Sequence, residues 1–143
     1  MNNSNLSAKD YLSQAYRIDL RIKMKSEQTQ SLRDIATRAT SSLSDVPPSN
    51  GPRNVHRMED VIAKMIDLES EISEELNRLI DLKHEILTVI NCVENLEFKT
   101  LLELRYLCFK PWEEIAVELN WSIRNVYYIH GEALKDVEKI RRS

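Results

Sequence analysis

Near its C-terminus the chain carries Ser122, Arg124, Tyr127, Tyr128 and Lys135, side chains suited to hydrogen bonding and charge rather than bond-making. On a helix entered at Ser122, steps of 100° put Val126 and Ile129 on one face and turn Ile123, Arg124, Tyr127, Tyr128 and His130 outward. No catalytic constellation accompanies them. Glu113 and Glu114 are adjacent acids in a first helical turn, where the helix dipole favours negative charge, and nothing nearby makes them an acid/base pair. Cys92 and Cys108 form no CxxC pair and have no ligand-spaced histidines, so they read as buried, reduced thiols. His56 and His84 stand singly on a long helix. Two glycines in 143 residues leave no GxGxxG or GxxxxGK[ST] phosphate cradle. The expectation is a protein that is not an enzyme, with no metal and no cofactor.

The elements that must position these residues are helical. With 42% hydrophobic and 30% charged residues, four prolines and 6% aromatics, the composition favours amphipathic helices over strands and turns. Ser7-Ala8-Lys9-Asp10 has the pattern of a capping box, and apolar residues recur with helical spacing from Leu12 to Leu43. One helix is predicted over about 7–43, with a polar middle from Lys23 to Ser31. Residues 44–54 concentrate three prolines and a glycine and are read as a hinge. A second helix is predicted over about 55–94, with a near-heptad seam through Met58, Val61, Met65, Leu68, Ile72, Leu79, Leu82, Ile86, Val89 and Val93. Glu75 is the charged break in that seam. Forty residues at 1.5 Å rise span about 60 Å, and the first helix nearly matches this length. The expected architecture is all-α: a long antiparallel helical hairpin over 1–94, then a three-helix module over 95–143.

In that module Asn95, Pro111 and Ser122 each mark a helix start. Ile115, Leu119, Trp121, Val126 and Ile129 fall where two short, steeply crossing helices share a small core. This is the layout of a helix-turn-helix. Ala116 sits where the helices pass closest, and Asn120 occupies the turn, where asparagine tolerates the left-handed conformation.

Residues 101–137, with the elements LRYL, EEIA, S-x-x-x-V and AL in order, resemble region 4 of bacterial RNA polymerase sigma factors. The whole chain resembles a group of small phage and prophage proteins of Gram-positive bacteria related to RinA/ArpU-type late transcription regulators. The resemblance implies that the helix from Ser122 enters a DNA major groove by its N-terminal end. Ser122 and nearby N–H groups would then hold a phosphate, Arg124 a guanine or phosphate, and Ile123, Tyr127 and Tyr128 would line the contact. Lys135, and behind it Lys139, Arg141 and Arg142, would reach the backbone outside the groove. The implied partners are double-stranded DNA, host RNA polymerase and a second copy of the chain in a homo-oligomer, a dimer. Two other readings fit the same pattern: a small terminase-type DNA-packaging subunit, and a coiled-coil module that binds protein only.

The net charge of −3 and pI of about 5.7 at first sight oppose a DNA partner, because phosphate binding rests on Lys and Arg. The acidity is local. Residues 1–43 hold seven Lys/Arg against four Asp/Glu, residues 54–94 four against ten, and residues 95–143 eight of each. The C-terminal module is therefore neutral, which predicts weak non-specific binding and reliance on a partner. The N-terminus has no apolar signal-peptide core and no stretch approaches 18 apolar residues, so a cytoplasmic protein without membrane contact is expected.

Overall fold

The computed structural model describes residues 6–45 and 51–143, with side chains at 6–38 and 55–143. Among the described residues five helices follow one another: α1 (Ala8–Asp45), α2 (Gly51–Asn91), α3 (Leu96–Tyr106), α4 (Trp112–Leu119) and α5 (Ile123–Arg142). The fold is all-α. At the start of α1, the Ser7 hydroxyl accepts from the Asp10 N–H at 3.2 Å, so the serine half of the capping box is formed.

The hinge is shorter than the proline count suggests. Ser44 and Asp45 complete α1, and Gly51–Asn54 already belong to α2. Pro52 is tolerated there because a first-turn N–H has no intrahelical partner to lose. The remainder of the expected hinge, 46–50, lies outside the described residues. At its other end α2 stops at Asn91 rather than Glu94, and Asn95 then caps α3, its Oδ1 accepting from Glu97 and Phe98 N–H.

The chain divides into two compact units. Asp19–Asn77 forms one, in which α1 and α2 run antiparallel: Arg21 pairs with Glu75 at 3.0 Å, Lys25 with Glu71 at 3.7 Å and Arg33 with Glu69 at 3.5 Å. Numbers rising along one helix meet numbers falling along the other. The seam residues Met58, Val61, Met65, Leu68 and Ile72 are only half-buried. Among the described residues of this unit, the buried side chains are Thr29 and Glu75. Thr29 Oγ1 donates to the Lys25 carbonyl at 2.9 Å, which satisfies a polar group in the polar middle of α1. Glu75 is buried because Arg21 and Lys25 both reach it. Burial raises its pKa, but those hydrogen bonds and charges outweigh it and leave the carboxyl below its ordinary value.

The second unit holds the described residues up to Ile18 together with Arg78–Ser143. Its interior takes Leu12 and Ala15 from α1, Ile86 and Ile90 from α2, Leu101 and Leu102 from α3, Ile115 from α4, and Val126, Ala133 and Val137 from α5, all essentially inaccessible to solvent. Polar contacts fasten the start of α1 to the end of α5. Glu138 accepts from the Ala8 N–H. Arg141 donates to the Leu6 carbonyl at 2.7 Å and lies 4.3 Å over the Tyr11 ring. Tyr11 in turn donates to Glu85 on α2 at 2.8 Å.

Both cysteines are exposed, against the expectation of buried thiols. Cys92 directly follows the last residue of α2, and Cys108 lies in the turn between α3 and α4, where no element covers it.

Candidate nucleic-acid interface

The three short helices pack on one another as a helix-turn-helix requires, with α3 and α4 both against α5 and against each other. Leu101, Ile115, Ala116 and Val126 form the buried cluster, and Leu104, Trp112, Leu119, Trp121 and Ile129 pack around it. Pro111 sits one position before α4, as its N-cap. Asn120 closes α4 in the left-handed region at φ 58° and ψ 41°. That conformation lets the Trp121 N–H donate to the Ala116 carbonyl at 2.9 Å, which satisfies an orphan carbonyl at the helix end. Ser122 then caps α5 through its Oγ, which accepts from the Asn125 N–H at 3.1 Å. Two turns of chain chemistry thus fix where α5 starts and which way it faces.

The face turned outward carries most of the expected contact residues. Ser122, Ile123, Arg124, Tyr127 and Tyr128 are all exposed. With the Ser122 oxygen committed to the cap, its O–H remains available to donate. The Tyr127 ring meets Trp112 edge-on, with centroids 5.7 Å apart, so this phenol is both exposed and oriented. Tyr128 is the freer of the two, at 65% relative exposure.

The basic residues further along α5 divide. Lys135 is exposed but pairs with Glu132 at 3.1 Å, and Arg142 pairs with Glu138 at 3.6 Å. Lys139 is exposed. Arg141 faces inward to Leu6 and Tyr11, where its guanidinium holds the fold together. Acids ahead of α5 are partly neutralised, because Lys110 pairs with Glu118 and lies 3.9 Å from Glu114. The Glu118 hydrogen bond raises the Lys110 pKa, with further charge support from Glu114.

His130 departs from the expected outward face. It is buried, its Nε2 lies 2.6 Å from Tyr106 Oη, and its ring meets Trp112 edge-on at 4.5 Å. Burial first, then the charges of Lys9 and Arg105, push its pKa down to about 4. Position 130 lies four residues after the core residue Val126, so the next turn of α5 returns it toward the interior. Burial also pushes the Tyr106 phenol up to about 12, so it keeps its proton.

Residues 39–138 match a protein family described as a protein of unknown function, DUF1492. The chain belongs to this family. No curated protein and no solved structure matches the chain. The matched region includes α3, α4 and the first sixteen residues of α5, and so contains the whole exposed face described above.

Among the described residues no group of His, Cys, Asp and Glu is arranged to hold a metal ion, and no helix is long and apolar enough to cross a membrane. Two residues important to the face carry no sequence signal of their own. Trp112 orients Tyr127, and Arg105 lies 4.3 Å over the Trp112 ring, a contact made across the turn between α3 and α4.

Proposed function

We propose that the chain is a sequence-specific DNA-binding regulator of transcription encoded by a phage or prophage, acting on late genes. The observation that carries this reading is the exposed face Ser122–Ile123–Arg124–Tyr127–Tyr128 at the start of α5, presented by a helix-turn-helix whose turn and cap are both formed. Such a helix enters the major groove by its N-terminal end. There Arg124 suits a guanine edge or a phosphate, and Ser122 and the tyrosines suit phosphates or a thymine methyl. Residues 95–143 would read DNA, while 1–94 would oligomerise or contact RNA polymerase. No enzymatic activity is proposed.

A dimer follows from affinity and from packing. One half-site helix on a neutral module binds weakly, so a second copy or a polymerase partner is needed. The unit Asp19–Asn77 leaves Leu20, Met24, Ile35, Val55, Ile62, Ile66 and Leu76 exposed, more apolar side chain than scattered surface residues account for. Opposite charge on the two helical arms makes another copy a complementary partner for that surface.

Selection of bound fragments from the source genome, paired with light scattering of the protein in solution, tests this reading. The expected result is a dimer that recovers fragments upstream of late genes, with affinity falling modestly as salt rises. Recovery of a packaging site by a many-subunit ring would replace it with the DNA-packaging reading. Failure to bind any fragment at low salt would leave a protein-only interaction module.

A further inference from the structure

We propose that the cleft between the first turns of α1, the end of α3 and the start of α4 is a binding site for a phosphate group. The cleft measures about 90 Å³ and is walled by Tyr16, Tyr106, Phe109 and Trp112, with Lys9 and Arg105 on its lining. That volume accommodates one tetrahedral oxyanion.

Charge is the first argument. Lys9 and Arg105 line the cleft, and Lys83 Nζ lies 4.6 Å over the ring of Phe109, one of its walls. Among the described residues none of these three cations is paired with a carboxylate, whereas Lys25, Arg33, Lys110 and Lys135 all are. The Arg105 guanidinium donates one N–H to the Lys110 carbonyl at 3.0 Å and lies over Trp112. Those contacts fix its plane and leave further donors of its fork unused. The same Lys9 and Arg105 charges help keep the neighbouring His130 neutral, as expected where the local potential is positive. A dianion or monoanion seated there would neutralise cations that the fold has left together.

Backbone strain is the second argument. Phe109 holds a left-handed φ of 59°, which a bulky residue adopts only at a cost and only where its surroundings impose it. Tyr16 meets its ring edge-on at 5.8 Å and Lys83 covers it. The Phe109 ring so placed is a wall of the cleft that Lys9 and Arg105 also line.

The phosphate has two possible sources, a free phosphate or phosphomonoester and the backbone of DNA. Trp112, a wall of the cleft, also touches Tyr127 on the exposed face of α5, so the cleft adjoins that face. The inference itself does not depend on DNA binding.

Titration of the full chain with inorganic phosphate, followed by calorimetry at constant ionic strength against chloride, tests the site. Saturable binding is expected in the millimolar range, weakened about fivefold by Lys9→Gln or by Arg105→Gln, the loss of one charged contact from the lining. Lys64→Gln, exposed on α2 in the unit Asp19–Asn77, serves as the control and binds as the parent does. Circular dichroism confirms that each variant keeps its helices, and either of the two cleft variants suffices if the other fails to fold. A random-sequence duplex that displaces phosphate assigns the site to the DNA backbone, while simultaneous binding of both assigns it to a free phosphate. Absence of saturable binding, or cleft variants that fold and bind like the parent, overturns the proposal.

Discussion

Tyr106 Oη and His130 Nε2 lie 2.6 Å apart, joining the last residue of α3 to the middle of α5 in the interior shared by the C-terminal helices. The two rings stack with centroids 5.7 Å apart, and Trp112 closes the cluster from α4. One buried hydrogen bond thus ties α3 to α5, with both partners neutral, and the edge-on Trp112 ring adds α4 to the cluster.

Protonation of His130 should loosen that arrangement. Its pKa falls from 6.5 to about 4 on folding, so the unfolded chain binds a proton that the native chain refuses between those values. Stability is then fully present above pH 6.5 and declines as pH drops toward 4, by about 3 kcal/mol in all. Urea melts of the parent at pH 7 and pH 5 should differ by about 2 kcal/mol more than those of His130→Gln. An equal pH dependence in the two proteins would show that His130 is not the titrating group.

Asn120 at φ 58° predicts opposite effects for two small replacements. Asn120→Gly should be neutral or slightly stabilising, because glycine enters the left-handed region without steric cost. Asn120→Ala should lose about 1 kcal/mol, since the Cβ of alanine gains no compensating hydrogen bond there. Thermal unfolding of both variants checks the ordering.

Glu75 occupies a seam position but is paired with Arg21 at 3.0 Å and Lys25 at 3.5 Å. Glu75→Leu restores the apolar repeat and strands neither cation, because Arg21 is largely solvated and Lys25 keeps Glu71 at 3.7 Å, so the change should be nearly neutral. Glu75→Lys puts a third cation beside two others and should lower the melting temperature by several degrees. Melts followed by circular dichroism distinguish the two outcomes, and a lower midpoint for Glu75→Leu would mean that the carboxylate contributes more than its seam position.

Arg124 is exposed at the first turn of α5, so its removal should leave folding unchanged. If it reads a base, Arg124→Ala costs about 1–3 kcal/mol in specific DNA binding and relaxes preference at one position of the site. Footprinting and affinity on a selected fragment measure this. An unchanged footprint and affinity would place another part of the chain against DNA.

The apolar spacing from Ile115 to Ile129 was enough to place two short helices and their shared core, because the period of a helix is a local property. Caps and turns were legible for the same reason: Ser7, Asn95 and Ser122 each bond to N–H groups within three residues, and Asn120 needs only its own backbone. The exposure of Ser122, Ile123, Arg124, Tyr127 and Tyr128 followed from the helical wheel. His130 did not, because at the edge of a wheel a polar residue is indistinguishable from a surface one until its partner is known. That partner, Tyr106, lies twenty-four residues away on another helix. The cysteines failed similarly, since exposure at a helix end depends on what covers it.

The sequence by itself determined which segments are helical, the caps at Ser7, Asn95 and Ser122, and the outward residues Ile123, Arg124, Tyr127 and Tyr128 of α5, all set by interactions spanning a turn or two. Tertiary structure alone decided that Arg141 faces Leu6 and Tyr11 rather than solvent, that Glu75 is buried between two cations, and that Lys9, Arg105 and Phe109 share a cleft. These contacts join residues from fifty to more than a hundred positions apart, and no periodic signal records them. Their energy comes from groups that become neighbours only after the helices have packed.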